Sequence, residues 1–172
     1  FGNLTHCRFV VEVDAGQNQS PCIYEAAALS HGLGRADGAG WSANCGQDNQ
    51  GHLIYGPYVT TLPAGVKRAQ FQMLVDNNTA DDLPVVALDV YDATAGRVLA
   101  WQAITRKRFW SAWIWQTFEL PFENTAGHAL EFRVWWYDVA YIQVDKITIV
   151  QPLNGLRGEY YRDFGALALV RC

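Results

Sequence analysis

Three indoles crowd one short stretch, Trp110-Ser-Ala-Trp113-Ile-Trp115, directly ahead of a run that alternates apolar and polar side chains. A core calls for aliphatic groups that interlock. A cluster of indoles beside a turn suits a surface on which a sugar ring or a partner lies flat. A pyranose presents an apolar C–H face, and an indole meets it with a large, rigid area at little entropic cost. The chemistry these residues point to is recognition by stacking. Two readings stand side by side: Trp110 and Trp113 face solvent and bind, or they plug the end of a sandwich. Trp115 enters the strand directly and is expected to be structural.

Covalent chemistry has much thinner support. The histidines are His6, His31, His52 and His128, and no nucleophile elbow, HExxH or P-loop accompanies them. Paired acids occur in any acidic chain, and a glycosidase pair needs a cleft that this sequence does not announce. No enzyme activity is expected.

Polar side chains of three further stretches bear on binding. The glycine-rich run His31-Gly-Leu-Gly-Arg35-Ala-Asp37-Gly-Ala-Gly40-Trp41 reads as a loop that approaches something closely. It is no dinucleotide fingerprint, because neither a leading strand nor a following amphipathic helix frames it. Arg35 and Asp37 there either bond sugar hydroxyls beside Trp41 or tie down their own loop. Asp76, Asn77, Asp81 and Asp82 either hold calcium or form a solvated loop, and their spacing is not that of an EF-hand. Trp135 and Tyr137 share a strand face with Glu131 and Arg133, to which Gln70, Gln72 and Asp89 are expected to add. That face is either a second glycan cleft or a surface covered by the chain's ends or another subunit.

At 172 residues the chain fits one domain with short appendages, and 50% apolar and 13% aromatic residues supply an ample core. The net charge is −4, and the longest basic run is Arg106-Lys107-Arg108, so no nucleic-acid partner is expected. No apolar run approaches the roughly 20 residues that span a bilayer, so no membrane insertion is expected. Cys7, Cys22, Cys45 and Cys172 are widely spaced and outside any zinc pattern. With the sequons at Asn3, Asn18 and Asn77 they indicate an extracellular, disulfide-bonded glycoprotein. Of the three pairings, Cys7–Cys22 with Cys45–Cys172 is preferred, since it closes the N-terminal loop locally and tethers the C-terminus. The alternative is buried free thiols in a cytosolic protein.

The elements that must position these residues read as short strands. Arg8 to Val13, Leu53 to Thr61, Arg68 to Val75, Val85 to Tyr91, Arg97 to Ile104, the stretch around Phe118 to Phe122, and Leu130 to Trp136 follow one another with turn residues between them. Asp92-Ala-Thr-Ala-Gly96 reads as a hairpin turn. The last strand changes phase: Ile142 and Val144 lie on one parity, Ile147 and Ile149 on the other, so a bulge at Asp145 is expected. The pattern is all-β, a jelly-roll β-sandwich of two antiparallel sheets.

The segments YEA at 24–26, GHLIYGPYVTTLPAG at 51–65, WQTFEL at 115–120 and QVDKITI at 143–149, in this order, resemble jelly-roll carbohydrate-binding modules of families 6 and 35. The resemblance covers roughly residues 24 to 150. It implies a structural calcium (Ca2+) held by Glu25 and Asp145, although Ala27 stands where the second Glu of the family's EAE pattern would be. It also implies a loop-end sugar site with Trp113 or Trp110 as the stacking aromatic and Gln143 where the family has Asn. Residues 155 to 171, GLRGEYYRDFGALALVR, resemble the opening strand of the domain named after anthrax protective antigen. That implies either a further domain or an extra strand that pairs with the main sheet or with a neighbouring subunit.

The division expected is therefore 1–23 as an N-terminal strand and loop, 24–150 as the sandwich, and 151–172 as an extension. The function expected is non-catalytic binding of a polysaccharide or glycan, with Trp110 and Trp113 stacking and Gln143, Trp41, Arg35 and Asp37 assisting. The alternative is a structural subunit of an extracellular filament or surface layer that self-associates through its C-terminal strand.

Overall fold

The computed structural model describes residues 20–151. The expected strand at 8–13, Asn3, Asn18, Cys7, Cys172 and the segment 155–171 lie outside the described residues.

Among the described residues the strands begin with β1 (Cys22–Glu25), followed by β2 (Arg35–Asp37), β3 (Gly40–Ala43), β4 (Gly51–Ile54) and β5 (Pro57–Val59). The longer strands are β6 (Gly65–Val75), β7 (Pro84–Asp92), β8 (Arg97–Thr105), β9 (Gln116–Asn124), β10 (Leu130–Trp136) and β11 (Ile142–Val150). Two single-turn 3₁₀ helices, Ala26–Ala28 and Arg106–Arg108, interrupt them. One sheet runs β2-β3-β11-β6-β9 with β1 also on β11, and the other runs β4-β10-β7-β8 with β5 also on β10. Every pairing is antiparallel. The molecule is the all-β jelly-roll sandwich that the alternation implies. No helix among the described residues is long and apolar enough to cross a membrane.

The alternation places the core directly. On β9 burial switches at every residue, with Phe118, Leu120 and Phe122 inward and Thr117, Glu119 and Glu123 outward. Phe71 of β6 stands opposite Phe118, and Ala69 opposite Leu120. From the other sheet β10 sends in Phe132, Val134 and Trp136. Phe122 meets Phe132 edge to face across the sandwich, with ring centroids 5.8 Å apart. Each such fully buried ring or branched side chain contributes about 1.5–3 kcal/mol by leaving water. Strand β7 departs from the pattern: Val85 through Val90 are all buried, because this central strand is covered on its outer face as well.

Register shifts on β11 between Val144 and Lys146, so Asp145 is the extra residue of a bulge. The bulge keeps Ile142, Val144, Ile147 and Ile149 all in the core despite their change of parity. Two stretches differ from the sequence reading. The run Leu53 to Thr61 is two strands, β4 and β5, laid end to end along the same edge of β10. The glycine-rich run at 31–41 is largely a small hairpin, β2–β3. Its glycines permit close approach of backbone: a Cβ on Gly40 would stand 2.4 Å from the Val144 carbonyl oxygen, and one on Gly34 2.3 Å from that of Ser42.

Candidate functional site

The loop between β8 and β9 is fastened on several sides and throws its indoles outward. Phe109 is its buried anchor, edge to face with Phe118 at 4.8 Å. Gln116, buried at the start of β9, accepts a hydrogen bond from the Trp110 amide at 2.8 Å and donates to the Arg108 carbonyl at 2.9 Å. Asn78, from the loop after β6, donates to the carbonyls of Phe109 and Trp110, both at 3.1 Å. The Trp113 amide donates to the Val75 carbonyl at 2.7 Å. Trp113 adopts φ 61°, a left-handed conformation that a bulky residue rarely takes. With its backbone so held, the loop exposes Trp110 by 79%, Trp113 by 60% and Trp115 by 38%, with Ile114 also open to solvent. Trp115, expected to be structural, is therefore part of the exposed patch. Its parity is that of Thr117 and Glu119, away from the core.

Trp113 has a polar frame beside it. Its ring lies 5.2 Å from that of Tyr141, at 40°. The Tyr141 hydroxyl donates to the Asp37 carboxylate at 2.7 Å. Gln143 donates its amide N–H to the Asp37 main-chain carbonyl, and its own side-chain oxygen lies 3.5 Å from the Tyr141 hydroxyl. Burial and the neighbouring Asp37 carboxylate push the Tyr141 hydroxyl up to about 12, so at neutral pH it remains a donor. Two strands contribute, Asp37 from β2 and Gln143 from β11, brought within reach because β3 pairs with both. The result is an indole and a phenol at an angle, next to a carboxylate and a carboxamide. Such a set stacks on an apolar ring face and bonds hydroxyls at its edge.

The other predicted residues go elsewhere. Arg35 pairs with Asp48, not Asp37: its guanidinium donates to Asp48 at 2.7 Å, and the same carboxylate accepts the Asn44 amide at 3.0 Å. Arg35 thus ties its hairpin to the next turn. Trp41 packs against the core on the face opposite Gln143, donates its ring N–H to the Leu33 carbonyl at 2.7 Å, and stacks on His31 at 3.4 Å. It does not join the indoles of the β8–β9 loop. Glu25 is exposed, and Asp145 lies 3.4 Å from the Lys146 ammonium. No group of three or more His, Cys, Asp or Glu side chains placed to hold a metal occurs among the described residues. Calcium takes six to eight oxygens, so backbone carbonyls would have to furnish most of its shell at Glu25 and Asp145. Asn77 is exposed in a turn where its side-chain oxygen accepts from the amides of Thr79 and Ala80. Cys22 is half-buried and Cys45 exposed, and they are not bonded to each other; their expected partners, Cys7 and Cys172, lie outside the described residues.

The loop rich in oxygen donors after β6 contains a cation of the protein's own. Arg106, only 5% exposed, donates from Nε to Asp81 at 3.0 Å, from Nη1 to the Asn77 carbonyl at 2.9 Å and from Nη2 to the Val139 carbonyl at 2.7 Å. Asp76 stands 3.9 Å from the same guanidinium. The sequence presents Arg106 only as one of three consecutive basic residues.

The outer face of the five-stranded sheet also gathers rings and charges. Arg133 grips Asp89 with two bonds of 2.7 and 3.1 Å, and its guanidinium lies 4.2 Å over the Tyr91 ring. His52 meets the Trp135 ring edge-on at 4.8 Å. Trp101, opposite Asp89 on β8, is 58% exposed and was not singled out by the sequence reading. Gln70 and Gln72 do not belong here: β6 lies in the other sheet, and Gln70 bonds Glu119 at 2.7 Å. Tyr141 was also missed. Its signal was available, since it precedes Ile142 and Val144 on the opposite parity and so shares a face with Gln143.

No family model matches the chain, and no curated protein matches it. Among solved structures, it is similar to the C-terminal family 6 carbohydrate-binding module of LamC from Zobellia galactanivorans, at 12% identity and TM-score 0.49 over 77% of this chain and 100% of that one. It is similar to the carbohydrate-binding module CBM6cm-2 of Cellvibrio mixtus lichenase 5A, at 13% identity and TM-score 0.47 over 76% of this chain and 96% of that one. It is also similar to an adhesin domain of Lys-gingipain from Porphyromonas gingivalis, at 14% identity and TM-score 0.43 over 83% of this chain and 99% of that one. Likeness at this level decides nothing about what the chain binds, which rests on its side chains.

Proposed function

We propose that this domain binds a carbohydrate without transforming it, at the loop end of the sandwich. Trp113 is the platform on which a sugar ring lies, Trp110 extends it, and Tyr141, Asp37 and Gln143 bond the ring's hydroxyls. The observation that carries this reading is Trp113 itself: a 60% exposed indole fixed by its own amide and set against Tyr141, next to Asp37 and Gln143. An exposed aromatic patch of this kind loses water favourably against an apolar ring face, and the polar edge fixes the ring's orientation. The extracellular setting and the disulfides Cys7–Cys22 and Cys45–Cys172 belong to the same proposal. Non-reducing mass spectrometry of the secreted protein checks them. Calorimetry across a panel of soluble glycans tests the binding. If Trp113→Ala and Trp110→Ala bind every member like the parent, the site is wrong.

A second reading, a subunit of an extracellular filament or surface layer, is favoured by the exposed Trp101 and Tyr58 on or beside the five-stranded sheet. A protein that polymerises in sizing experiments and ignores glycans supports it over the first.

A further inference from the structure

We propose that Arg106 is the positioning residue of the loop-end site, a buried guanidinium that holds the two sides of the site in register. This rests on the reading of Trp113 and Tyr141 as the sugar platform. Those rings come from loops far apart in sequence, Trp113 from the β8–β9 loop and Tyr141 from the turn leading into β11. Arg106 lies at the base of both. Its Nη2 donates to the Val139 carbonyl, two residues before Tyr141. Its own carbonyl accepts the Phe109 amide at 3.2 Å, closing the turn that launches Trp110 and Trp113. Its Nε and Nη1 fasten Asp81 and the Asn77 carbonyl in the loop after β6. The next residue of that loop, Asn78, donates to the carbonyls of Phe109 and Trp110. One side chain therefore bonds to all three loops, where the other links run pairwise: Asn78 to the β8–β9 loop, and the Asp76 amide to the Tyr141 carbonyl at 3.4 Å.

Arginine suits this role for a geometric reason. Its planar fork delivers N–H groups in several fixed directions at once, here to one carboxylate and two carbonyls, while an ammonium is a single point charge. Each of the three Arg106 nitrogens donates one hydrogen bond, and a buried network of this kind loses rigidity when its centre is removed. A stacking site needs its planes held to within about 0.5 Å and 10–20°. Arg106 touches no part of the exposed patch and acts through Trp113 and Tyr141.

Two measurements on the full chain test the proposal: amide hydrogen exchange without sugar, and calorimetry with the panel glycan that the parent binds best. In Arg106→Met the Trp113 amide loses protection by at least about tenfold while core amides such as Phe71 and Phe132 keep theirs, because local opening does not require global unfolding. Affinity falls by about tenfold, equivalent to about 1.4 kcal/mol. Arg106→Lys recovers part of both, since it restores charge without the fork. Asp81→Asn, which weakens one arm, shows the same pair of changes at smaller size. Arg133→Met removes a comparable Arg–Asp pair from the outer face of the five-stranded sheet and leaves both readouts within about twofold, as distant sites act independently. Arg106→Met with unchanged Trp113 protection and affinity overturns the proposal, as does an equal loss in Arg133→Met. Should Arg106→Met fail to fold, unchanged protection in both Arg106→Lys and Asp81→Asn overturns it. If the parent binds no glycan but protection falls as described, the sugar reading fails and the positioning role stands.

Discussion

Exposed indoles occur in two regions of this sandwich, and they are held there by different means. On the outer face of the five-stranded sheet, strand alternation places the exposed Trp101 and the half-buried Trp135, and Arg133 is paired with Asp89. At the loop end no alternation operates. Two of the indoles are held through their main chain: the Trp110 amide donates to Gln116 and its carbonyl accepts from Asn78, the Trp113 amide donates to the Val75 carbonyl, and both rings are largely exposed. The sheet face is a set of mutually satisfied neighbours. The loop end is a scaffold whose bonds lie below the rings, leaving the ring faces for something else. A region that satisfies itself makes stability, while one that presents unsatisfied flat surface makes contact.

Several substitutions would break or sharpen that contrast. The largest expected effect is on the sheet: Asp89→Ala leaves the half-buried Arg133 unpaired and lowers stability by about 3 kcal/mol, the loss typical of breaking such a pair, with glycan affinity unchanged. Urea unfolding beside calorimetry reads both quantities. Next comes Trp113→Ala, expected to weaken binding by about 2 kcal/mol as truncated hot-spot aromatics do, with stability nearly unmoved because the ring is exposed. Trp101→Ala on the sheet should do neither. Exchanged outcomes for the two tryptophans would move the binding surface to the sheet.

Smaller still is Tyr141→Phe, which removes one donor from Asp37 and should weaken binding by about 1 kcal/mol. The same variant carries a pH test. The Tyr141 hydroxyl titrates at about 12 in the folded chain against 10.0 ordinarily, chiefly through burial and then through Asp37. A raised folded value means the neutral hydroxyl is favoured by the fold, so its contribution is complete below pH 10 and is lost as pH rises toward about 12. Melting curves taken across that window should fall more steeply for the parent than for Tyr141→Phe; parallel curves would refute the buried contact.

The strands were legible because their turns and their parity agree. Phe118, Leu120 and Phe122 announce β9, Asp92 to Gly96 announces a hairpin, and the phase change after Val144 announces a bulge at Asp145, all of which the structure shows. Alternation says which residues share a face of a strand, yet nothing about which sheet the strand joins. That is why Gln70 and Gln72 were grouped with Arg133 although β6 lies across the core from β10. The hairpin β2–β3 was obscured because glycine carries no side chain to register a period. Arg106 was hidden for another reason: its burial depends on Asn77, Asp81 and Val139, residues 25 to 33 positions away, and no local pattern encodes such contacts.

The bulge at Asp145 gives the last strand two independent halves. Upstream of it, Tyr141 and Gln143 line the proposed recognition edge; downstream, Ile147 and Ile149 pack into the core between the sheets. Because the unpaired residue resets the pleat between them, the upstream half is open to redesign without shifting the packing of the downstream half. Exchanging Gln143 for Asn or Glu would retune what the proposed rim accepts, and removing Asp145 itself would turn Ile147 and Ile149 out into water.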